Sequence, residues 1–168
     1  MSFIGTNAIA KLSRLTKRKR IIQGGTYAAK TFSIIPILIN KGIQNPNKKI
    51  TVAAESIPAL KQGAMANFKD IMMDTGRWVQ EHWNATDRKY SFNNRSFIEF
   101  QSFDSIGKAQ AAGKRTDLFI NEAYHINFDI ADALMMRTEE NIWLDFNPVS
   151  SFWAHTELLG QSDVEMII

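Results

Sequence analysis

Arg20-Ile21-Ile22-Gln23-Gly24-Gly25-Thr26-Tyr27-Ala28-Ala29-Lys30-Thr31 is the stretch on which the reading of this 168-residue chain turns. Arg20 to Gln23 is a short apolar run of the kind a buried strand presents, Gly24-Gly25 ends it, and residues 31–39 are apolar at helical spacing. A strand, a glycine-rich turn and a helix that begins on Lys-Thr make a phosphate loop of the form GxxxxGK[ST]. There the backbone N–H groups and the helix N-terminus converge on phosphate oxygens. Gly24, Gly25, Thr26, Tyr27, Ala28 and Ala29 would form the nucleotide cradle, Lys30 would reach the β- and γ-phosphates, and the Thr31 hydroxyl would ligate Mg²⁺. One residue departs from the pattern, Ala29 at the second-glycine position. The competing reading is a glycine-rich turn before a core helix; Lys-Thr in phase with the helix start favours the phosphate site.

Outward from that stretch the pattern alternates. Residues 49–54 read as a strand, and Pro58 sits where a first helical turn tolerates it. Helix formers then run over 59–73 until Gly76, with a further turn or two over 78–83. Tyr90 to Phe92, Asn93-Asn94 and Ser96 to Phe100 form a hairpin signature near 90–101, with Asn tolerating the positive φ of a tight turn. Residues 102–116 are polar, hold Gly107 and Gly113, and read as a loop. A strand over 117–120, a helix over 129–136, a strand over 141–146, a helix near 152–159 and a strand over 164–168 complete the chain. Strands separated by helices imply βαβ units. The expected fold is therefore α/β, of the P-loop NTPase class, a mostly parallel twisted sheet flanked by helices with the hairpin inserted. Pro36 inside the first core helix predicts a kink or an early end there.

Length argues for a single domain, and 45% hydrophobic with 22% charged residues is a globular composition. The chain has no cysteine, which excludes disulfides and thiolate metal sites. The net charge of +3 hides an asymmetry: residues 1–54 hold 10 basic and no acidic side chains, residues 55–168 hold 10 basic and 17 acidic. Such a front end suggests anionic partners. Residues 1–19 form a basic arm in which Ile4, Ile9, Leu12 and Leu15 can share one face of a docking helix, with a targeting segment as the alternative. The cluster Lys17-Arg18-Lys19-Arg20 reads equally as a solvated run. No stretch approaches the roughly 20 apolar residues that span a bilayer. His82, His125 and His155 are too scattered for a metal cluster, and Trp78, Trp83 and Trp143 fall at core positions.

A second signal follows the apolar strand Leu118-Phe119-Ile120. It is Asn121-Glu122-Ala123. In phosphate-loop ATPases that strand ends with an acid near Mg²⁺, and a following Glu positions the attacking water. Asn121 would be a neutral ligand on the Mg²⁺ side, and Glu122 the catalytic carboxylate. A third signal is Asp145-Phe146-Asn147-Pro148, where Asn147 either senses the γ-phosphate or belongs to an Asn-Pro turn. Ligands of open parallel sheets bind beyond the carboxyl ends of the strands, so Gly24, Asn121, Glu122 and Asn147 are expected on one edge. Lys108, Lys114 and Arg115 punctuate the preceding loop, as solvated charges, nucleic-acid contacts or an arginine finger for a neighbouring subunit.

Taken in order, these motifs resemble the large terminase subunit of tailed bacteriophages. The resemblance is carried by Gly24 to Ser33, Val52-Ala53-Ala54-Glu55-Ser56 with Leu60-Lys61-Gln62-Gly63-Ala64, Gly107-Lys108-Ala109-Gln110 leading through Gly113 to Asp117, Phe119 to Ala123, and Leu144 to Pro148. It runs from about Arg20 to Leu158, most of the chain. It implies an ASCE-type ATPase domain over 20–168 that hydrolyses ATP with Mg²⁺ and drives double-stranded DNA into a procapsid. It implies phosphate contact for Lys30, Mg²⁺ for Thr31, a catalytic role for Glu122 and coupling for Asn147. Gln23 stands in for a base-contacting glutamine, and Arg115 is the candidate intersubunit arginine. The implied partners are DNA, the portal and the small terminase subunit, in a homo-oligomeric ring in the full assembly or as a monomer when isolated. The implied setting is the cytoplasm of the infected host. The family's C-terminal nuclease domain is expected to be absent and the ATPase domain to be incomplete at its C-terminus, since the sequence ends at Ile168. Two rivals stay open: a small-molecule P-loop kinase, and a non-hydrolysing DNA-binding or assembly module with a decayed nucleotide site.

Overall fold

The computed structural model describes residues 7–25, 30–148 and 150–168. In chain order the elements are α1 (Asn7–Ser13), β1 (Lys19–Gln23), α2 (Lys30–Gln44), β2 (Lys49–Ala54), α3 (Ile57–Gln62), α4 (Ala64–Asp74), β3 (Trp83–Asn84), β4 (Lys89–Ser91) and β5 (Phe97–Ser102). There follow α5 (Ile106–Ala111), β6 (Arg115–Ile120), α6 (Phe128–Met136), β7 (Thr138–Phe146), a π-helical turn (Ala154–Leu158) and β8 (Val164–Ile167). Among the described residues one sheet holds eight strands in the order β3-β4-β5-β2-β6-β7-β1-β8. From β5 to β8 every pair is parallel; only β3–β4 and β4–β5 are antiparallel. The expected α/β sheet with a hairpin insertion is therefore the architecture found.

Alternation along the central strands divides the apolar residues between two cores, one on each face of the sheet. Ile22, Val52, Phe119 and Trp143 join the layer formed with α2 and α4 through Ile34, Leu38 and Phe68. Ile21, Ala53, Leu118, Ile120 and Leu144 face the layer that holds Ile130 and Leu134 of α6. With a helix layer on each face, β6 is buried along its whole length. Leu12 ties α1 to the first layer.

Four local expectations change. Pro36 does not end its helix: α2 runs on to Gln44, with Pro36 buried inside it. A proline loses its own N–H bond and crowds the carbonyl four residues back, and the packing of Ile34, Ile35, Leu38 and Ile39 offsets that cost. The long helix after Pro58 is broken at Gly63 into α3 and α4; Ser56 caps the first piece by accepting a hydrogen bond from the Ala59 N–H. The stretch read as a loop over 102–116 contains α5, capped by Ser105, which accepts from the Lys108 N–H. In the hairpin the left-handed residue is Arg95 (φ 68°), not an asparagine; Asn94 instead spends its amide on the Gly42, Ile43 and Asn45 carbonyls.

The hairpin is held by an aromatic cluster. Phe68 of α4 is fully buried, with its ring 5.6 Å from Tyr90, 5.3 Å from Phe100 and 6.3 Å from Trp78. Phe68→Ala is expected to lower stability by about 3–5 kcal/mol, and the midpoint of thermal unfolding by on the order of 10 °C, read by calorimetry. At the amino ends of the strands, Lys41 of α2 reaches the fully buried Asp117 of β6 and, at 3.1 Å, Asn141 of β7. Lys41 and Lys48 share Glu140 at 2.7 and 2.6 Å.

Candidate nucleotide site

Three strand ends and one helix start meet at the carboxyl edge of the sheet. Gly24 follows β1 and donates its N–H to the Phe146 carbonyl at 3.2 Å, which holds the first turn of the loop against β7. Lys30 opens α2, and its ammonium donates to the carbonyls of Gly24 (2.8 Å) and Gly25 (3.0 Å) and to Asn147 Oδ1 (2.7 Å). Burial lowers the pKa of Lys30, while the charges of Asp145 and Glu122 push it back up. Thr26, Tyr27, Ala28 and Ala29 lie outside the described residues.

The next residue, Thr31, donates its hydroxyl to Asp145 Oδ2 at 2.7 Å. Asn121, directly after β6, donates its amide to both carboxylate oxygens of Asp145, at 3.0 and 3.2 Å, and to Thr31 Oγ1 at 3.1 Å. The Glu122 N–H closes the group on Asp145 Oδ1 at 2.7 Å. Asp145 is 1% exposed; burial raises its pKa, opposed by the hydrogen bonds from Glu122, Thr31 and Asn121 and by the charge of Lys30. Glu122 itself adopts φ 53°, ψ 55°, a left-handed conformation uncommon outside glycine, and its side chain is exposed at the edge.

Lys30, Thr31, Asn121, Glu122, Gly24, Gly25 and Asn147 are thus brought together as expected. Gln23, the last residue of β1, lines an apolar cleft of about 310 Å³ with Leu12, Ile22, Ile167 and the stem of Lys30. Arg115 is not at this edge. It opens β6 at the opposite end of the strand, is 3% exposed, and donates to Thr51 Oγ1 (3.2 Å) and to the carbonyls of Leu134 (2.8 Å) and Gly113 (3.1 Å). In this chain its guanidinium is committed to α6, β2 and the loop before β6. Lys108 pairs with Asp104 on the surface at 2.8 Å, and Lys114 is exposed. Asp145 is the residue the motif reading passed over: it looks like one polar position in an apolar strand, and only the pairing of β7 with β1 and β6 shows that it faces Thr31 and Asn121.

The donor set suits a hard cation. The Thr31 hydroxyl and the Asp145 carboxylate are oxygen groups of the kind Mg²⁺ takes together with substrate phosphates, and among the described residues no group of three or more His, Cys, Asp or Glu forms a cage of its own. Among the described residues no helix is long and apolar enough to cross a membrane.

Comparison with solved structures places this edge in context. The large terminase of a thermophilic bacteriophage, in its complex with ADP, superposes with a TM-score of 0.77 at 17% identity, over 95% of this chain and 43% of that one. The large terminase ATPase domain of Thermus phage P74-26 gives 0.70 at 11% identity, over 96% and 79%. The Phi-28 gp11 DNA packaging motor gives 0.67 at 12%, over 95% and 59%. At these identities the likeness is one of fold, and the chain spans about two fifths of the first terminase's length. No curated protein matches the chain. The phage terminase large subunit family model matches residues 16–163. By that match, which takes in every element from β1 to the turn before β8, the chain belongs to the phage terminase large subunit family.

Proposed function

We propose that the chain is the ATPase domain of a viral DNA-packaging motor, binding Mg-ATP at the carboxyl edge of the sheet and hydrolysing it to move double-stranded DNA into a procapsid. The observation that carries this reading is the constellation at the end of β1: Lys30 poised over Gly24 and Gly25, with Thr31, Asp145, Asn121 and Glu122 joined by hydrogen bonds beside it. Lys30 exchanges its carbonyl and Asn147 contacts for the β- and γ-phosphates, which leaves Asn147 free to respond to that exchange. Thr31 holds the metal side. Mg²⁺ held there would supply positive charge against the phosphates. Glu122, exposed at the edge and fixed through its backbone, orients the attacking water and takes its proton. The apolar cleft beside Gln23 receives the base. DNA, the portal, the small terminase subunit and a ring of identical subunits are the partners this function requires, in the cytoplasm of an infected bacterium.

The test is acceptor-free hydrolysis. With ATP and Mg²⁺ and no small-molecule acceptor, inorganic phosphate is expected to accumulate, at a rate per chain that rises with protein concentration if neighbouring subunits complete the site. Phosphate appearing only when a small-molecule acceptor is supplied, and then on that acceptor, would instead identify a kinase. Nucleotide binding with no turnover at any concentration would identify an assembly module.

A further inference from the structure

Position 121 carries an amide where a strand-end acid is expected, while the only buried carboxylate at the described part of the site sits one strand away. We propose that Asp145 is the metal-side carboxylate, supplied from β7, and that Asn121 is its hydrogen-bond donor and not a metal ligand. This rests on the nucleotide-site reading above.

The geometry argues for the exchange in three ways. First, β7 lies between β1 and β6, with Asp145 in register with Ile22 on one side and one residue past the Leu144–Ile120 pair on the other. A carboxylate on β7 is therefore next to the strand that feeds the phosphate loop. Second, the orientation of Asn121 is fixed by its partner. A carboxylate only accepts, so the face of Asn121 toward Asp145 must be its NH₂, and its Oδ1 turns away toward Gly63, 3.2 Å from where a Cβ there would stand. An asparagine so held offers the metal side donors and no ligand oxygen. Third, the Thr31 hydroxyl has one proton and two lone pairs. The proton goes to Asp145 and one lone pair to the Asn121 amide, which leaves one lone pair for a cation.

An acid at position 121 as well would set two carboxylates about 3 Å apart in a buried site, where like charges oppose each other's ionisation. The amide and the acid thus form a pair that keeps a single negative charge. Asp145 also accepts the Glu122 N–H, so the same carboxylate that orients Thr31 holds the left-handed residue whose side chain handles water. Asp145 is a positioning residue for Glu122 as well as the charge facing the cation.

The experiment measures Mn²⁺ binding to the protein–ADP complex by paramagnetic resonance, and binding of a fluorescent ADP analogue without metal, for the wild type, Asp145→Asn and the swap Asn121→Asp/Asp145→Asn. Asp145→Asn is expected to weaken Mn²⁺ binding at least about tenfold while metal-free analogue affinity stays within about twofold, and the swap is expected to recover most of the loss. Wild-type Mn²⁺ affinity in Asp145→Asn would overturn the proposal and leave the nucleotide site standing. So would a folded swap variant that binds Mn²⁺ as weakly as Asp145→Asn. Should Asp145→Asn not fold, Asn121→Ala decides: a loss clearly smaller than tenfold supports a donor role, and a loss of tenfold or more identifies Asn121 as the ligand. No analogue binding by the wild type, with or without metal, would overturn the nucleotide site itself.

Discussion

Glu122→Gln is expected to reduce ATP hydrolysis by about 10²–10⁴-fold while changing ATP affinity little, the usual scale for removing a positioned general base. The substitution preserves length and shape and removes only the capacity to take a proton. Because the Glu122 N–H, not its side chain, is what Asp145 holds, the left-handed turn survives the change, and glutamine meets the same backbone demand as glutamate. The carboxylate makes no hydrogen bond among the described residues, so its loss opens no unpaired buried group. Single-turnover hydrolysis and equilibrium nucleotide binding on the same preparation separate the two effects. Hydrolysis at the wild-type rate would remove Glu122 from the reaction.

Lys30→Ala is the second large effect. The ammonium is the one cation seen to sit over the described part of the loop, with three oxygen partners within 3.0 Å, all of which are the loop itself or Asn147. Without it, two phosphates lose a charge-assisted contact, and Mg-ATP affinity is expected to fall by about 10²-fold. Titration with a fluorescent ATP analogue reads the loss, and thermal unfolding run alongside separates it from instability, since Lys30 is only half-buried. Unchanged affinity would mean that the glycine-rich turn is only a turn.

The fold was legible because its strands are short apolar runs bounded by glycine, proline and polar turns, and because Lys49–Ala54 reads as it folds. What escaped was local. The six residues of α5, Gly107 among them, lie in a polar stretch and are too few for periodicity to register, although Ser105 just ahead of them is an N-cap signal. Gly63 interrupts a run of good helix formers that propensity alone joins into one helix. At the site, Lys30, Thr31 and Glu122 announce themselves through motif spacing. Asp145 does not, because its role depends on which strands flank β7, and strand order is a property of the tertiary fold. Arg115 illustrates the converse. Its loop position suggested a solvent-facing cation, and in the fold its guanidinium is buried against the carbonyls of Leu134 and Gly113. The basic front end behaves likewise: Arg18 donates to the Met135 and Thr138 carbonyls, Lys19 pairs with Asp163, and Arg20 lies over the Trp143 ring. Part of the charge segregated along the sequence is thus paired within the fold.

Helix α2 is fastened to the same two strands at both of its ends. Thr31 is tied to Asp145 of β7 and to Asn121 just past β6, and Lys41, about 15 Å further along the helix axis, is tied to Asp117 of β6 and Asn141 of β7. A beam pinned at two points to one plate cannot slide along it without breaking a pin. Sliding of α2 over β6 and β7 at the nucleotide edge therefore has to break contacts at one end of the helix or the other.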